Sequence, residues 1–168
     1  MHKKQISFPD IADIEKTNKI ATDLFGIEED KTQVKPTLET ALKLISIDKY
    51  NFVCFKEGDE VVAWSVVLPT SKKAMDDFLE EKKNEKELFE LFLEKPSFEA
   101  LYLAAVIVVP KHQKKGLGLS LMKEQINYFK ENHGINNFFT LILSKEGKRF
   151  MENIQKDSAI KVLDVSRV

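Results

Sequence analysis

Cysteine is nearly absent from this chain. Cys54 stands alone among 168 residues, which excludes an internal disulfide and a cysteine-built zinc site. Histidine is scarce as well, with only His2, His112 and His133, so no resident metal is expected. Arginine is all but missing, since every one of the 26 basic residues except Arg149 and Arg167 is lysine. Bidentate arginine clamps are therefore rare, and an anion must be held by lysine and backbone N–H groups. No apolar run nears the roughly 20 residues that span a bilayer. The longest, residues 101–110, closes on Pro110, and no signal-like apolar region follows Met1-His2-Lys3-Lys4-Gln5. The expectation is a cytoplasmic protein without a membrane partner. Net charge is −1 with a pI near 6.3, so there is no basic excess for nucleic acid to read.

What is present suits one globular domain over residues 1–168, with 43% hydrophobic and 32% charged residues. A chain of this length buries roughly two-thirds of its unfolded surface without needing staples. Apolar spacing at Ile11, Ile14, Ile20, Leu24 and Phe25 predicts an amphipathic helix closing near Gly26. After a polar stretch over residues 27–36, Thr37 is placed to cap a second helix with Leu38, Ala41, Leu42 and Ile45 inward. Residues 51–55 and 60–68 read as a hairpin around Glu57-Gly58-Asp59, ended by Pro69. Residues 71–95 are helical in pattern and rich in acid, with Met75, Phe78 and Leu79 in one apolar group and Leu88, Phe89 and Phe92 in another. The polar stretch between the groups fits one long exposed helix or two short ones. Residues 100–109 are β-branched without alternation, as in a central strand buried on both faces. A helix over 118–132, a strand over 135–143, a helix over 144–154 capped by Ser144, and a strand over 159–168 complete an α/β chain.

The chemistry concentrates at Val108-Val109-Pro110-Lys111-His112-Gln113-Lys114-Lys115-Gly116-Leu117-Gly118-Leu119. A buried strand runs into a tight glycine-containing loop, and the loop opens directly into a helix. The first N–H groups of a helix lack helical partners and stand at the positive end of its dipole. Glycine at 116 and 118 lets a phosphate approach the backbone, and Lys111, Lys114 and Lys115 add charge. A P-loop does not fit, because no Gly-Lys-Ser/Thr ending follows, and a dinucleotide fingerprint lacks its third glycine.

Gln113-x-x-Gly116-x-Gly118, preceded by Val108-Val109-Pro110, resembles the signature of the GNAT acetyltransferase superfamily. The order of elements is similar too, firmly over residues 100–135 and loosely over 37–155. The resemblance implies a mixed, mostly antiparallel sheet with helices on both faces. Residues 71–95 would then be a helical insertion between the family's third and fourth strands. It implies acetyl-CoA as co-substrate, an amine as acceptor and no metal. The amine would be a primary amine of a small molecule or a protein, attacking the thioester directly. The coenzyme's pyrophosphate would rest on the amides of Lys115, Gly116, Leu117, Gly118 and Leu119, beside Lys114, with Gln113 shaping the turn. Its pantetheine arm would run beside Ile107, Val108 and Val109, and the Val108 N–H would polarise the thioester carbonyl.

Catalytic candidates under this resemblance are Glu99, as a base acting through water or a solvated carboxylate, and Tyr102, as a donor to the thiolate or a packed tyrosine. Ser144 either contacts CoA or only caps its helix. His112 is read as surface filler, Cys54 as a buried small hydrophobe, Trp64 as acceptor-pocket wall or core, and Tyr128 as packing or surface. The sequence departs from the family at Met151, where a tyrosine usually protonates the leaving thiolate and methionine has no proton to give. A catalytically weak CoA-binding module is the alternative that this departure favours. The acidic insertion either draws a cationic amine, or gives a homodimer contact through Leu88, Phe89 and Phe92, or is a solvated helix.

Overall fold

The computed structural model describes residues 4–25, 32 and 34–168. Six helices and five strands run in the order α1 (Ile11–Phe25), α2 (Leu38–Ile47), β1 (Phe52–Glu57), β2 (Glu60–Thr70), α3 (Lys72–Leu79), α4 (Glu85–Glu94), β3 (Ala100–Val108), α5 (Leu117–His133), β4 (Phe138–Ile142), α6 (Lys145–Ser158) and β5 (Val162–Ser166). Gly26, where the first helix was expected to close, lies outside the described residues, as do residues 27–31. Among the described residues no helix is long and apolar enough to cross a membrane.

The strands form one sheet in sequence order, antiparallel from β1 to β3 and parallel from β3 to β5. Alternation sorts the core onto the two faces. Phe52, Cys54 and Trp64 pack with Ile14 of α1 and Ala41 of α2. Leu68, Ala100 and Tyr102 pack on the same face with Phe78 of α3 and Phe89 and Phe92 of α4. The opposite face carries Leu101 and Leu103 against Met122, Ile126 and Phe129 of α5 and Ile154 of α6. Gln125 fixes α5 to the sheet, its buried amide donating to the carbonyls of Tyr50 at 2.8 Å and Ser65 at 3.2 Å.

Two departures from the sequence reading are informative. Pro69 does not end its strand but pairs with Leu101 inside β2. It is tolerated because the β1 ladder has already stopped at Val66, so no partner strand calls for the missing N–H there. Residues 71–95 form two helices, not one, each with its own cap. Ser71 accepts from Ala74 N–H at the start of α3. Asn84 and Glu87 make a reciprocal capping box at the start of α4. The turn between them passes through Glu81 at φ 59°. Leu88, Phe89 and Phe92 are buried in this chain's own core, which removes them as a homodimer contact.

Candidate active site

The site begins with a fault in the ladder between β2 and β3. Val66 pairs with Ala105 and Val67 with Leu103, leaving Ala104 as one extra residue on β3. Side-chain parity confirms the bulge. On β2, Trp64 and Leu68 stay on one face throughout, whereas β3 reaches that face with Tyr102 before the bulge and Ile107 after it. Beyond the bulge, Val109 N–H donates to Val62 O at 3.0 Å, so Val106 and Val108 turn their backbone groups away from β2.

On that other side β3 has little company. It pairs with β4 only through residues 101–103 against 138–140, and from there β4 continues with β5 alone. The two parallel strands splay, and a groove of about 670 Å³ opens between them. This explains why residues 104–106 are half-buried, against the expectation that all of β3 would be covered on both faces.

The loop after β3 closes one end of the groove. A single turn over Pro110–His112 leads to Gln113, whose Nε2 donates back to Val108 O at 3.1 Å and ties the loop to the strand. Lys114 at φ 61° and Gly116 at φ 74° both take the left-handed conformation, which winds the chain sharply into α5. The first helical return is Ser120 N–H to Gly116 O, which leaves the amides of Leu117, Gly118 and Leu119 as the orphan donors of α5. Gly118 has a packing reason of its own. A Cβ there would lie 2.9 Å from Val106 Cγ2, so its absence lets the helix start sit directly against β3.

Of the residues that the sequence nominated for coenzyme, Val108, Gln113, Lys114, Gly116, Leu117, Gly118, Leu119 and Ser144 all line this groove. Lys115 stands exposed on the loop. Ile107 faces the opposite side of the sheet, into a second cavity, and the Val109 N–H is already taken by Val62. Ser144 caps α6 by accepting from Gly147 N–H at 3.0 Å and keeps its own hydroxyl hydrogen for another acceptor. Met151 also lines the groove, nearly buried against the α5–α6 core. His112 was expected at the surface. The turn at Pro110 instead rolls it inward, to 5% exposure, along the groove wall. Its Nε2 stands 3.4 Å from Glu57 Oε2.

Glu99 and Tyr102 line neither the groove nor the cavity. Glu99 is exposed, and its Oε2 accepts from Lys72 N–H at 3.1 Å at the start of α3. Tyr102 is fully buried and donates its hydroxyl to Glu85 Oε2 at 2.6 Å. Burial, and then the Glu85 charge, push its pKa well above the usual tyrosine value. A proton so held, on the wrong face of β3, is not available to a thiolate in the groove.

The second cavity, of about 140 Å³, lies on the α1–α4 face of the sheet. Its walls include Trp64, Phe52, Phe89 and Glu85. Ala104, Ala105 and Leu143 belong to both the groove and the cavity, so the two meet at the bulge. The sequence reading had Trp64 as one option for an acceptor wall and missed both Glu85 and the junction. The one local hint was Ala104-Ala105, two small side chains inside an otherwise bulky strand. Among the described residues no group of three or more His, Cys, Asp or Glu side chains is placed to hold a metal.

A sheet split open beside a helix-start anion cradle is the architecture of an acyl-coenzyme A transferase fold. The family model described as "Acetyltransferase (GNAT) family" matches residues 14–149, and the chain belongs to that family of acyltransferase enzymes. Among solved structures, diaminobutyrate acetyltransferase EctA from Paenibacillus lautus, in complex with L-2,4-diaminobutyric acid and coenzyme A, is similar at TM-score 0.57 and 12% identity, covering 95% of this chain and 80% of that one. Polyamine N-acetyltransferase from Drosophila melanogaster is similar at TM-score 0.57 and 15% identity, covering 90% and 82%. The loading GNATL domain of CurA from Lyngbya majuscula is similar at TM-score 0.51 and 15% identity over 80% of this chain, which spans only 62% of that chain's length. At such identities these likenesses speak for the fold alone. No curated protein matches the chain in sequence.

Proposed function

We propose that the protein moves an acetyl group from acetyl-CoA to a primary amine by direct attack. The observation that carries this reading is the meeting of groove and cavity at Ala104, Ala105 and Leu143. The groove runs from Ala104 and Ala105 at the bulge to Gln113, Gly116 and Gly118 of the loop, and that loop offers the amides of Leu117, Gly118 and Leu119 to a pyrophosphate. Gly116 and the Lys114 side chain stand beside them. The pantetheine amides would pair with the backbone of Val106 and Val108, where β4 has left β3 without a ladder.

The thioester then lies at the bulge, with the acceptor nitrogen arriving from the cavity. Attack by the neutral amine forms the carbon–nitrogen bond and a tetrahedral intermediate that carries an oxyanion and a protonated nitrogen. Main-chain N–H groups at the bulge stabilise that oxyanion better than the starting carbonyl. The placement moves the expected polarising donor from Val108, at the loop end of the groove, to the Ala104–Val106 stretch. Collapse breaks the carbon–sulfur bond and expels the CoA thiolate, which takes up the proton released by the acceptor nitrogen, and the Ser144 hydroxyl, on the groove wall next to Leu143, is the side-chain donor proposed to hydrogen-bond it. Holding both reactants in line supplies much of the remaining acceleration.

The test is thiol release from acetyl-CoA across a panel of amines, beside calorimetric titration with CoA. Saturable CoA binding with amine-dependent thiol release is the expected result. No heat on titration overturns the groove assignment. Binding without thiol release from any amine favours the second reading, a catalytically weak CoA-binding module, to which Met151 in the groove wall points.

A further inference from the structure

We propose that two buried hydroxyls, Ser65 of β2 and Thr140 of β4, grip the carbonyls on either side of the β3 bulge and so hold the Val106 N–H in the groove as the donor to the thioester oxygen. The proposal deepens the acetyl-transfer reading above and rests on it for the position of the thioester. Both side chains are positioning residues, since they act through the backbone of β3.

In a regular strand, carbonyls two residues apart point to the same side, because successive peptides alternate. Leu103 and Ala105 do not. Leu103 O accepts from Thr140 Oγ1 at 2.8 Å, on the β4 side. Ala105 O accepts from Ser65 Oγ at 3.2 Å, on the β2 side. The backbone ladders run the same way. Before the bulge, Leu101 N–H donates to Asn137 O at 2.8 Å, toward β4, and after it Val109 N–H donates to Val62 O, toward β2. Ala104, the extra residue, is where the direction reverses.

The reversal aims one donor. A trans peptide carries its C=O and N–H on opposite sides. With Ala105 O turned to Ser65, the N–H of the same peptide, which belongs to Val106, is turned away from β2. The β3–β4 ladder has already ended at the pair Leu103 and Thr140, so no β4 backbone group meets it. Val106 lines the groove next to Ala104 and Ala105, where groove and cavity join. Its N–H is therefore the bulge donor best placed for the oxyanion, and the Val106 carbonyl remains for the pantetheine arm. Rotation of the bulge peptides would turn this donor out of line. The two hydroxyls oppose that rotation from opposite neighbours.

Packing alone does not call for a hydroxyl at either position. Ser65 is wholly buried between Ala63 and Val67 on the face of β2 that meets α5. Thr140 is buried between Phe138 and Ile142 on its own face of β4. Alanine at 65 or valine at 140 would occupy much the same space with no buried polar group to satisfy. The Ser65 carbonyl also accepts from Gln125 Nε2, which ties the grip to the helix that carries the coenzyme loop.

The experiment reads the thioester itself, by isotope-edited infrared spectroscopy of acetyl-CoA labelled at the thioester carbonyl. Bound to the unaltered protein, the carbonyl band should move to lower frequency than in the free thioester, the sign of polarisation by a fixed donor. Ser65→Ala and Thr140→Val should each lose most of that shift. Calorimetry with CoA, which the loop holds, should give unchanged affinity for both. Thr140→Ser keeps the hydroxyl while giving up a methyl group and should keep the shift, which a merely structural role would not produce. A full shift in either hydroxyl-free variant overturns the grip. An unshifted band in the unaltered protein overturns the donor, whatever the folding of the variants. The two readings fail separately. Acetyl-CoA that does not bind at all sinks the groove reading beneath the proposal, whereas a full shift in Ser65→Ala or Thr140→Val sinks the grip and leaves the reaction.

Discussion

The hydroxyl of Tyr102 on β3 and the carboxylate of Glu85 on α4 meet at 2.6 Å across 17 residues of chain. This bond joins the strand that carries the bulge to the helix that walls the cavity. In the proposed reaction Tyr102 is thus a positioning residue for the cavity wall. Tyr102→Phe should lower stability by about 1.5–3 kcal/mol, the range for a hydrogen bond to a charged group. The same variant should raise the KM for the amine while leaving CoA affinity unchanged. Urea unfolding and paired titrations check both, and an unchanged amine KM would remove Tyr102 from the acceptor site.

The two loop glycines should respond differently. Gly118→Ala drives a methyl group to within 2.9 Å of Val106 Cγ2, so the β-branched Val106 side chain or the start of α5 must give way, and a shift of α5 carries its orphan amides with it. CoA affinity should fall by roughly tenfold or more, as expected when helix-start donors lose their aim. Gly116→Ala meets no neighbour within 4 Å, and its penalty is the left-handed φ of 74°. That costs about 1–2 kcal/mol of fold stability, with a smaller loss of CoA binding. Calorimetry with CoA and thermal unfolding of both variants separate steric from conformational roles.

Cys54 lies wholly buried between β2 and the β-bridge partner Ser7, and burial pushes its thiol pKa up to about 11. The thiolate is the reactive form, so an aromatic disulfide reagent should label the native protein only as fast as it unfolds. Labelling that is fast and saturating in native buffer would contradict the burial.

Tyr128 stacks on Tyr50 at 3.7 Å and donates to Asp48 Oδ2 at 3.0 Å. Burial first, and then the Asp48 hydrogen bond and charge, push its pKa up to about 12. The unfolded chain releases this proton near pH ~10, the folded chain near 12. Above the unfolded value the folded state holds more protons, so stability drops as pH rises through this window and is unaffected by Tyr128 below it. Denaturant midpoints measured across the window should fall less steeply in Tyr128→Phe than in the unaltered protein.

Much of the frame is legible in the sequence because it is written locally. Thr37 and Ser144 cap their helices as their positions suggest, each accepting from the N–H three residues on. Gln113, Gly116 and Gly118 form the loop that their spacing implies, since turn, cap and close approach are decided within a few residues. The acceptor side is not local. Ala104 becomes a bulge only through its register against Val66 and Val67 of another strand. Glu85 looks like one acid among many on an exposed helix until Tyr102 reaches it. Glu99 and Tyr102 sit near the right strand in sequence, yet alternation and a solvated strand end point them elsewhere. His112 misleads in the other direction, because a polar residue in a lysine-rich loop reads as exposed while Pro110 turns it under.

The two grips of this molecule come from separate stretches of chain. In the proposed reaction residues 108–119 hold the coenzyme, while Glu85 and Phe89 reach the cavity wall on a helical excursion between β2 and β3 that ends before that loop begins. Rewriting that excursion should alter one wall of the cavity without disturbing the loop at the end of the groove. Changes in that wall and changes in the loop can therefore accumulate independently of one another.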